Sequence, residues 1–434
     1  MRLAALSVQE QAAAARMLSM NAKPSAAFDL NLATLAPLGD GMLPRLSALR
    51  GHDPLYWSET SNCWIVTGHS EVMEGFSGSV PLLNGKMEAV LARVLPPAEL
   101  QRRFPNTLRY MPRILPNMDG EEHARVRRLF VKAFSRKIVE DLRPYVRERV
   151  ELILGRAAAA RELEFNEGVS RQLPGAVILR LLGMQESYFE RLKAWTDGVT
   201  RALTSFDPQV PWLETLEVVV SEMIEVFRGE IEERRRSPRA DLITALVSAV
   251  EAGDVLSVDE MLGALILVIV AGHDTTSNSM TLGVRALARN PVAWMELRAH
   301  PERSVDAVVE LMRYAAMSSA QPRLAARDFE WRGRKIRQHD LVMLMIAGGN
   351  RDPHVFPDPD AMQLTRRNDL SLTFGPGVHH CIGHLLAKLQ LSEFFAALTQ
   401  RFDTVEILKE PEFVPNLVFR GVTRLDVRFH PRSN

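Results

Sequence analysis

The sequence predicts a mainly helical protein with a minor β-sheet region, folded as one large domain. From about Glu121 to Arg313, apolar residues recur almost wholly at helical spacing. Alternation of apolar and polar residues, which is typical of strands, is confined to four segments: 63–67, 329–336, 341–346 and 418–429. Strands therefore come from both ends of the chain and helices fill the middle. We expect interwoven elements rather than a string of separate domains.

The helical segments follow in chain order. Periodicity predicts helices over 138–154, 215–236, 240–252 and 257–289. The last helix begins at a capping box formed by Ser257 and Glu260, and it can run to Asn290, where Pro291 stops it. At 1.5 Å per residue it is on the order of 50 Å long. Its polar stretch 271–278 is interpreted either as a helix end with local caps or as a helix opened locally over a cofactor or substrate.

Composition excludes several classes of function. The 53 Lys and Arg residues balance 53 Asp and Glu residues, so no global basic excess exists to hold a nucleic acid. The two cysteines, Cys63 and Cys381, cannot make a disulfide framework or a multi-cysteine metal site, and they suit a reducing compartment. The longest apolar run, 261–272, is too short to cross a bilayer, and the N-terminus lacks the apolar core of a signal peptide. We expect a cytoplasmic protein.

The segment 374–388 carries the strongest functional signal. Gly375 and Gly377 precede Cys381 and permit a bulged hairpin whose backbone approaches a flat ligand. The sequence becomes helical directly after Cys381, so we expect the helix start to lower the pKa of the thiol and favour the thiolate. A lone cysteine excludes an iron–sulfur cluster, and the two histidines beside it are too close to form an ordinary zinc set. A single thiolate in this setting fits an axial ligand of heme iron.

This segment resembles the heme-binding signature of the cytochrome P450 family, Phe-x-x-Gly-x-(His/Arg)-x-Cys-x-Gly. The matching residues are Phe374, Gly377, His379, Cys381 and Gly383. Four further segments resemble motifs of this family in the right order: His123-x-x-x-Arg127, the oxygen-activation motif 271–275, Glu310-x-x-Arg313, and 350–359 before the meander. The resemblance implies a partly ordered N-terminal extension over 1–39 and a heme domain over 40–434, with heme between the long central helix and the cysteine loop.

The resemblance implies heme b (iron protoporphyrin IX) as the cofactor, with Cys381 as the axial ligand of the iron. The other cofactor-binding residues that it implies are His123, Arg127, Arg323, His379, Phe374, Gly375, Gly377, Gly383, Ala271 and Gly272. The two histidines and two arginines of this set are implied to hold the heme propionates. Gly272 is implied to leave room for oxygen beside the iron.

The resemblance also implies a structural ion pair between Glu310 and Arg313. Spacing alone places these two residues on one face of a helix. In the family the pair is buried and completed by an arginine of the meander, here Arg366 or, alternatively, Arg367. Its implied role is to hold the cysteine loop so that heme can bind.

Asp274 and Thr275 are implied to be the catalytic residues, with Asp274 relaying protons from solvent and Thr275 holding oxygen and a water. Because this pair is present, we expect a monooxygenase that inserts one oxygen atom of O2 into a hydrophobic small molecule, by hydroxylation or epoxidation. A peroxygenase that uses hydrogen peroxide directly is the alternative. A heme-based sensor is a third interpretation.

The electrons are expected to come from NAD(P)H through a separate ferredoxin or flavodoxin, because no flavin or ferredoxin module is visible after Cys381. The residues that form a basic face on the helix after residue 121 are Arg125, Arg128, Lys132 and Arg136. Complementary charge makes this face our hypothesis for the docking surface of the donor. No nucleic acid or membrane partner is expected.

Overall fold

The computed structural model describes residues 28–85, 91, 94–204, 210–251 and 257–432. The helices are α1 (Leu32–Leu35), α2 (Met42–His52), α3 (His69–Ser77), α4 (Pro97–Arg103), α5 (Pro105–Tyr110), α6 (Gly120–Ala133), α7 (Arg136–Asp141), α8 (Arg143–Ala160), α9 (Gln172–Leu182), α10 (Phe189–Thr204), α11 (Val210–Arg236), α12 (Leu242–Glu251), α13 (Val258–Ala288), α14 (Pro291–Ala299), α15 (Ser304–Ala315), α16 (Ile346–Gly349) and α17 (His384–Arg401). The strands are β1 (Leu55–Ser58), β2 (Cys63–Val66), β3 (Leu82–Leu83), β4 (Glu162–Glu164), β5 (Gln321–Ala325), β6 (Phe329–Trp331), β7 (Arg334–Ile336), β8 (Leu341–Leu344), β9 (Phe402–Ile407) and β10 (Asp426–Pro431).

Within the described residues the strands form three small sheets. The largest has the order β1-β2-β8-β5-β3, with β8 parallel to β2 and antiparallel to β5. A second sheet has the order β4-β10-β9, and β6 and β7 form a hairpin. In the largest sheet, strands from the first part of the chain enclose two strands from residues 321–344. The predicted class, mainly helical with a minor sheet region whose strands come from both ends, is confirmed.

Strands were harder to predict than helices. The structure contains β1, β3, β4, β5 and β9, which the alternation does not reveal. Four of the five residues of β5 are buried, but its sequence, Gln-Pro-Arg-Leu-Ala, does not alternate, and Pro322 is unfavourable for a strand. The predicted strand 329–336 is a hairpin, because Arg332 and Gly333 both have positive φ and form its turn. In the C-terminal tail the strand begins at Asp426, later than predicted.

The predicted helix 138–154 is two helices, α7 and α8. Pro144 lies in the first turn of α8, where its missing N–H costs no hydrogen bond, but it could not continue a helix from α7. The extension before residue 40 contributes Leu32 and Leu35 to a core with α2, whereas residues 1–27 lie outside the described part of the chain. The boundary between residues 39 and 40 stays a prediction.

The long central helix positions the site. α13 has 31 residues and begins with the predicted capping box, in which the Ser257 hydroxyl accepts from the Glu260 amide and the Glu260 carboxylate accepts from the Ser257 amide. Every residue from 261 to 270 is buried, so this helix passes through the core. It packs against α9, α10 and α17. Since α17 starts directly after the Cys381 loop, the core fixes that loop relative to α13.

Candidate active site

Cys381 lies in a tight loop just before α17. Its amide donates to the carbonyl oxygen of Phe374 at 2.8 Å, and the amide of Gly375 donates to that of Leu372 at 2.9 Å. Gly375 and Gly377 have φ values of 65° and 82°, a region that side chains other than glycine rarely adopt. The loop contains turns and no strand, so the expected bulged hairpin is absent from this described segment. These bonds hold the half-buried thiol in one place.

The glycines of this loop serve contacts within the chain. A Cβ atom on Gly377 would lie 2.4 Å from the carbonyl oxygen of Phe76, at the end of α3, and one on Gly375 would lie 3.5 Å from the Phe76 ring. We expected Gly377 to let the loop backbone approach a flat ligand closely. In the structure, the group that Gly377 allows to come close is the backbone of α3. A Cβ on Gly383 would meet nothing within 4 Å, and the amide of this residue bonds the Cys381 thiol.

The expected lowering of the thiol pKa is wrong for the polypeptide by itself. Burial raises the pKa of the Cys381 thiol, while the Gly383 amide and the Arg127 guanidinium act in the opposite direction. Burial is the largest of these effects, so the start of α17 does not suffice to form the thiolate. A coordinated metal cation deprotonates a thiol outright. A thiolate at Cys381 would therefore need a bound cation and not only the helix dipole.

Three of the four predicted propionate partners lie beside the cysteine loop. His123 and Arg127 share one face of α6. The His123 ring lies 3.9 Å from the His379 ring, and Arg127 Nη2 donates to the carbonyl oxygen of His380 at 2.6 Å. The fourth, Arg323, lies on β5 with its guanidinium 5.0 Å from the Phe76 ring. The Phe76 ring also faces Gly375, so Arg323 approaches the loop from the sheet.

Two of these groups, Arg323 and His123, are buried with too few partners. Within the described residues, the buried Arg323 guanidinium makes one hydrogen bond, to the carbonyl oxygen of Pro322 at 3.0 Å. Burial lowers the pKa of Arg323 to about 10, and Asp119 offsets only part of this effect. His123 Nε2 is buried without a partner among the described residues. Burial and the charges of His379 and Arg127 lower its pKa to about 4. A ligand with two carboxylates would supply the missing partners, and heme carries two carboxylates.

Asp119 is a functional residue that the sequence analysis missed. Its carboxylate accepts from the amides of Asn84 and Gly85 at 3.0 and 2.8 Å, and it lies 3.8 Å from His379 Nε2. Although burial opposes it, these hydrogen bonds lower the pKa of Asp119 to about 2. Asp119 therefore joins the loop after β3 to the cluster of cationic groups. The signal that could have revealed it is an Asp-Gly step at the start of a helix.

Glu310, Arg313 and Arg366 form a buried cluster. Arg313 Nε and Nη2 donate to the two oxygens of Glu310 at 2.7 and 2.9 Å, and both side chains are fully buried. Arg366 Nε donates to Glu310 at 3.2 Å and Nη1 donates to the Pro357 carbonyl oxygen at 2.6 Å. Arg367 is 92% exposed and pairs with Asp369, so the alternative third member is wrong. The cluster fastens the segment before the cysteine loop to α15.

The polar stretch of α13 neither ends nor opens the helix. All residues from 271 to 278 remain helical, and the hydroxyls of Thr275 and Ser277 bond carbonyls one turn back. Thr275 Oγ1 donates to the Ala271 carbonyl oxygen at 2.6 Å, and Ser277 Oγ donates to that of His273 at 2.8 Å. Both interpretations of an interruption are wrong, because the backbone satisfies these hydroxyls without leaving the helix.

Gly272 has a packing role that the sequence analysis did not foresee. A Cβ atom at this position would lie 2.4 Å from Cδ1 of Ile178 on α9. The missing side chain therefore lets α9 approach α13. That Gly272 also leaves room for oxygen stays a prediction. Ala271 is exposed and Thr275 is half-buried, one turn apart on the same face of α13.

The surroundings of Asp274 give its carboxyl a pKa that suits proton transfer. Burial raises the pKa of its carboxyl to about 6, and the negative charge of Asp197 adds to this effect. The charge of Arg171 and a hydrogen bond from Thr200 act to lower it. The carboxyl can therefore both hold and release a proton near neutral pH. Sequence reasoning missed Arg171, Asp197 and Thr200, because they lie about 75 to 100 residues away in the chain.

Comparison with known proteins decides the family. The family model described as Cytochrome P450 matches residues 98–425 of the chain. The chain belongs to the cytochrome P450 family. It is thus an oxidoreductase of the cytochrome P450 monooxygenase type, and cytochromes P450 bind heme b. The motifs from residue 123 to residue 383 all lie inside the matched region.

Several relatives are similar over most of their length. Cytochrome P450 CYP107DY1 of Priestia megaterium is 32% identical over 320 residues, which cover 73% of this chain and 76% of the relative. Mycinamicin IV hydroxylase/epoxidase of Micromonospora griseorubida is 34% identical over 323 residues, covering 70% and 78%. The solved structure of P450BioI, in complex with a hexadec-9Z-enoic acid ligated acyl carrier protein, has a TM-score of 0.83 at 26% identity, covering 92% of this chain and 100% of that one.

None of the described helices is both long enough and apolar enough to span a membrane.

Proposed function

We propose that the protein inserts one oxygen atom of O2 into a hydrophobic small-molecule substrate, by hydroxylation or epoxidation, with electrons from NAD(P)H. The observation that carries this proposal is the placement of Asp274 beside Thr275 on the central helix, where burial raises the pKa of the Asp274 carboxyl to about 6. A peroxide-using enzyme needs no such proton-transfer group of its own. Among the relatives, the mycinamicin enzyme is named for both hydroxylation and epoxidation.

The residues around the Cys381 loop fit heme. In this proposal Cys381 would bind the heme iron. The two propionates would be held by His123 and Arg323, which are buried with too few partners, together with the half-buried Arg127 and His379. Phe374 holds the Cys381 amide, Gly375 and Gly377 shape the loop, and the Gly383 amide bonds the sulfur. Bound heme supplies the redox chemistry that activates O2.

The chain contributes proton handling and a place for water. Thr275 donates its hydroxyl proton to the Ala271 carbonyl oxygen, so its oxygen remains an acceptor that can hold a water molecule. The Asp274 carboxyl can give a proton to such a water and regain one from solvent, because its pKa of about 6 is close to working pH. Ala271, exposed on the same face, offers an apolar surface to the substrate.

Electrons are proposed to come from a separate ferredoxin or flavodoxin that docks on the basic face of α6 and α7. The structure changes the composition of this face. Arg125 forms an ion pair with Glu260 at the start of α13, so its charge is largely neutralised. Arg128 and Arg136 are exposed, whereas the side chain of Lys132 lies outside what the structure describes. Arg128 and Arg136 are therefore the cations on which the docking hypothesis depends.

The test compares two electron sources. With ferredoxin, its reductase and NAD(P)H, we expect substrate turnover well above that with hydrogen peroxide alone. Asp274→Asn should lower reductase-supported turnover by about 10²-fold and affect peroxide turnover much less. Asp259→Asn, which changes an acid at the far end of the same helix, is the matched control. Equal or faster turnover of the native protein with peroxide would show a peroxygenase instead.

The heme assignment is tested separately by spectroscopy. The reduced protein under carbon monoxide should show the strongly red-shifted Soret band that a thiolate ligand produces. Cys381→Ala should abolish this band, while Cys63→Ala, which changes the buried cysteine of β2, should leave it in place. A thiolate spectrum without turnover of any substrate would favour the sensor interpretation. Retention of the band in Cys381→Ala would remove the ligand assignment.

A further inference from the structure

A small cavity lies between α8, α9 and a single 3-10 turn, Glu186–Tyr188, that precedes α10. Its volume is about 140 Å³. A cavity of about 150 Å³ holds one benzene molecule, so this cavity has room for a single ring and not for a long chain. Neither Cys381 nor Asp274 lines it, and it is therefore separate from the candidate active site.

Apolar side chains from three elements line the cavity. They are Ile153 of α8, Ala176 and Leu179 of α9, and Phe189 at the start of α10. Ile153 and Leu179 are buried, whereas Ala176 and Phe189 are half-buried, so part of this apolar surface still meets solvent. The Phe189 ring packs on Gly175, where a Cβ atom would lie 2.4 Å from Cε2 of the ring. An apolar group placed here would remove this surface from water, which favours binding.

The charged side chains of the lining leave an excess of positive charge. Arg149 and Arg156 are seven residues apart on α8, so they share one face of that helix, and Glu186 is the acidic residue of the lining. Arg156 is exposed, and among the described residues it has neither a hydrogen bond nor an ion pair. Two guanidinium groups thus face one carboxylate, which favours an anionic ligand.

Arg149 is held in place by its own helix. Its Nε donates to the Tyr145 hydroxyl at 3.0 Å, and its guanidinium carbon lies 5.2 Å from the centre of the Tyr145 ring. The terminal nitrogens of Arg149 face the other way of the fork and form an ion pair with Glu186. The Arg149 side chain is 19% exposed and the Glu186 side chain is 70% exposed. Arg149 is therefore the fixed member of the pair, and Glu186 can turn into solvent at little cost.

We propose that this cavity is a binding site for a small amphipathic carboxylate, an acid with one aromatic or branched apolar group, which replaces Glu186 on Arg149. The apolar group would cover Ile153 and Phe189, and the carboxylate would form a forked pair with the Arg149 guanidinium. One carboxylate replaces another, so the charge of Arg149 stays compensated, and Arg156 adds a second positive charge. The proposal is independent of the proposed function, because none of these residues is assigned to heme binding or proton transfer.

The first measurement is direct binding of benzoate to the purified full chain. Methyl-resolved NMR of protein labelled at isoleucine Cδ1 follows Ile153, whose signal is identified with Ile153→Val. The Ile153 signal should shift saturably with benzoate, whereas Ile65, which is buried in a different core cluster, should not shift. Benzamide has the shape without the charge and acetate has the charge without the ring, so each should bind at least about tenfold more weakly. No saturable shift of Ile153, equal shifts of Ile65, or equal binding of benzoate and benzamide would overturn the proposal.

The second measurement repeats the titration with two variants that should act in opposite directions. Arg149→Gln removes the fixed guanidinium and should weaken benzoate binding at least about tenfold. Glu186→Gln removes the internal competitor and should strengthen binding about two- to fivefold. The controls make the same changes of charge outside the cavity: Arg180→Gln at an exposed residue of α9, and Glu190→Gln at an exposed residue of α10. Weaker binding in both test variants, or changes no larger than those of the controls, would contradict the site, because an ion pair that only supports the fold gives no opposite effects.

Discussion

At the scale of single residues, the most informative side chain is Arg323. A guanidinium buried on β5 with one hydrogen bond among the described residues is costly for the folded chain. Such a group is retained where a ligand supplies the missing counter-charge. The unpartnered Nε2 of His123 shows the same property on α6. Together, the Arg323 guanidinium and His123 Nε2 mark where the carboxylates of the proposed heme ligand would bind.

Arg323→Gln is expected to weaken heme binding by about 10- to 100-fold, because a hydrogen bond to a charged group contributes roughly 1.5–3 kcal/mol. The heme-free variant should be at least as stable toward urea as the native heme-free protein, since an uncompensated buried charge is removed. Heme transfer to apomyoglobin and urea unfolding measure the two effects. Arg334→Gln, at an exposed arginine of β7 that pairs with Asp53, should change heme affinity little. A loss of stability in Arg323→Gln without loss of heme affinity would contradict the assignment.

At the scale of elements, the contact between α9 and α13 depends on a missing side chain. Gly272 allows Ile178 to approach the backbone of the central helix more closely than any Cβ would permit. The adjacent turn of α13 carries Asp274 and Thr275. The packing of α9 therefore sets the lateral position of the catalytic pair.

Gly272→Ala forces Cδ1 of Ile178 to move, an overpacking cost of at most about 1–3 kcal/mol, against which alanine favours the helix by about 1 kcal/mol, so we expect a small net loss of stability. Ile178→Ala removes a buried side chain and is destabilising by itself, but it should cost less stability in the Gly272→Ala background than in the native one, because there it also removes the atoms that clash. Urea unfolding of the single and double variants provides the measurement. If Gly272→Ala reduced oxygen binding at unchanged stability, the glycine would instead serve the space beside the cofactor.

The buried cluster of Glu310, Arg313 and Arg366 connects α15 to the segment before the cysteine loop. Arg366→Ala should cost about 3–5 kcal/mol of stability and release heme, because Glu310 would remain buried with part of its charge uncompensated. Arg367→Ala, one residue later and 92% exposed, should have almost no effect. Thermal unfolding and heme content of the purified variants distinguish the two. Equal behaviour of both variants would contradict the buried cluster as the anchor.

At the scale of the whole molecule, the charge distribution matters more than its sum, which is zero. Two basic residues of α6, Arg125 and Arg128, have different surroundings. Arg125 turns toward Glu260 and joins α6 to the start of α13, whereas Arg128 remains exposed. A sequence pattern shows which residues share a helix face, but it does not show which of them another element neutralises.

Arg128→Glu should slow reduction by the ferredoxin several-fold at low ionic strength and weaken its salt dependence, because complementary charge mainly accelerates association. Stopped-flow reduction at two or more salt concentrations checks this. Arg201→Glu, which reverses an exposed charge on α10, makes the same change in net charge away from the proposed surface. Equal slowing in both variants would indicate a general charge effect and no defined docking face.

Helices and local motifs were the predictable part of this protein. The capping box at Ser257 and the helix start after Cys381 were predicted because neighbouring residues in the chain make these features. The strands β1 and β5 were missed, because β1 has three successive apolar residues instead of an alternation and β5 contains Pro322 and the buried Arg323. The thiol pKa was predicted in the wrong direction, because burial depends on the whole fold and outweighs the local helix start.

The sequence by itself determined the family, the order of the motifs and the cysteine that we propose as the ligand of heme iron, since each of these depends on residue types at short spacing. Only the tertiary structure decided that Gly272 faces Ile178, that Arg366 and not Arg367 reaches Glu310, and that Asp274 meets Arg171 and Asp197. These contacts join positions far apart in the chain. Their strength depends on burial and distance, which exist only once the helices have packed.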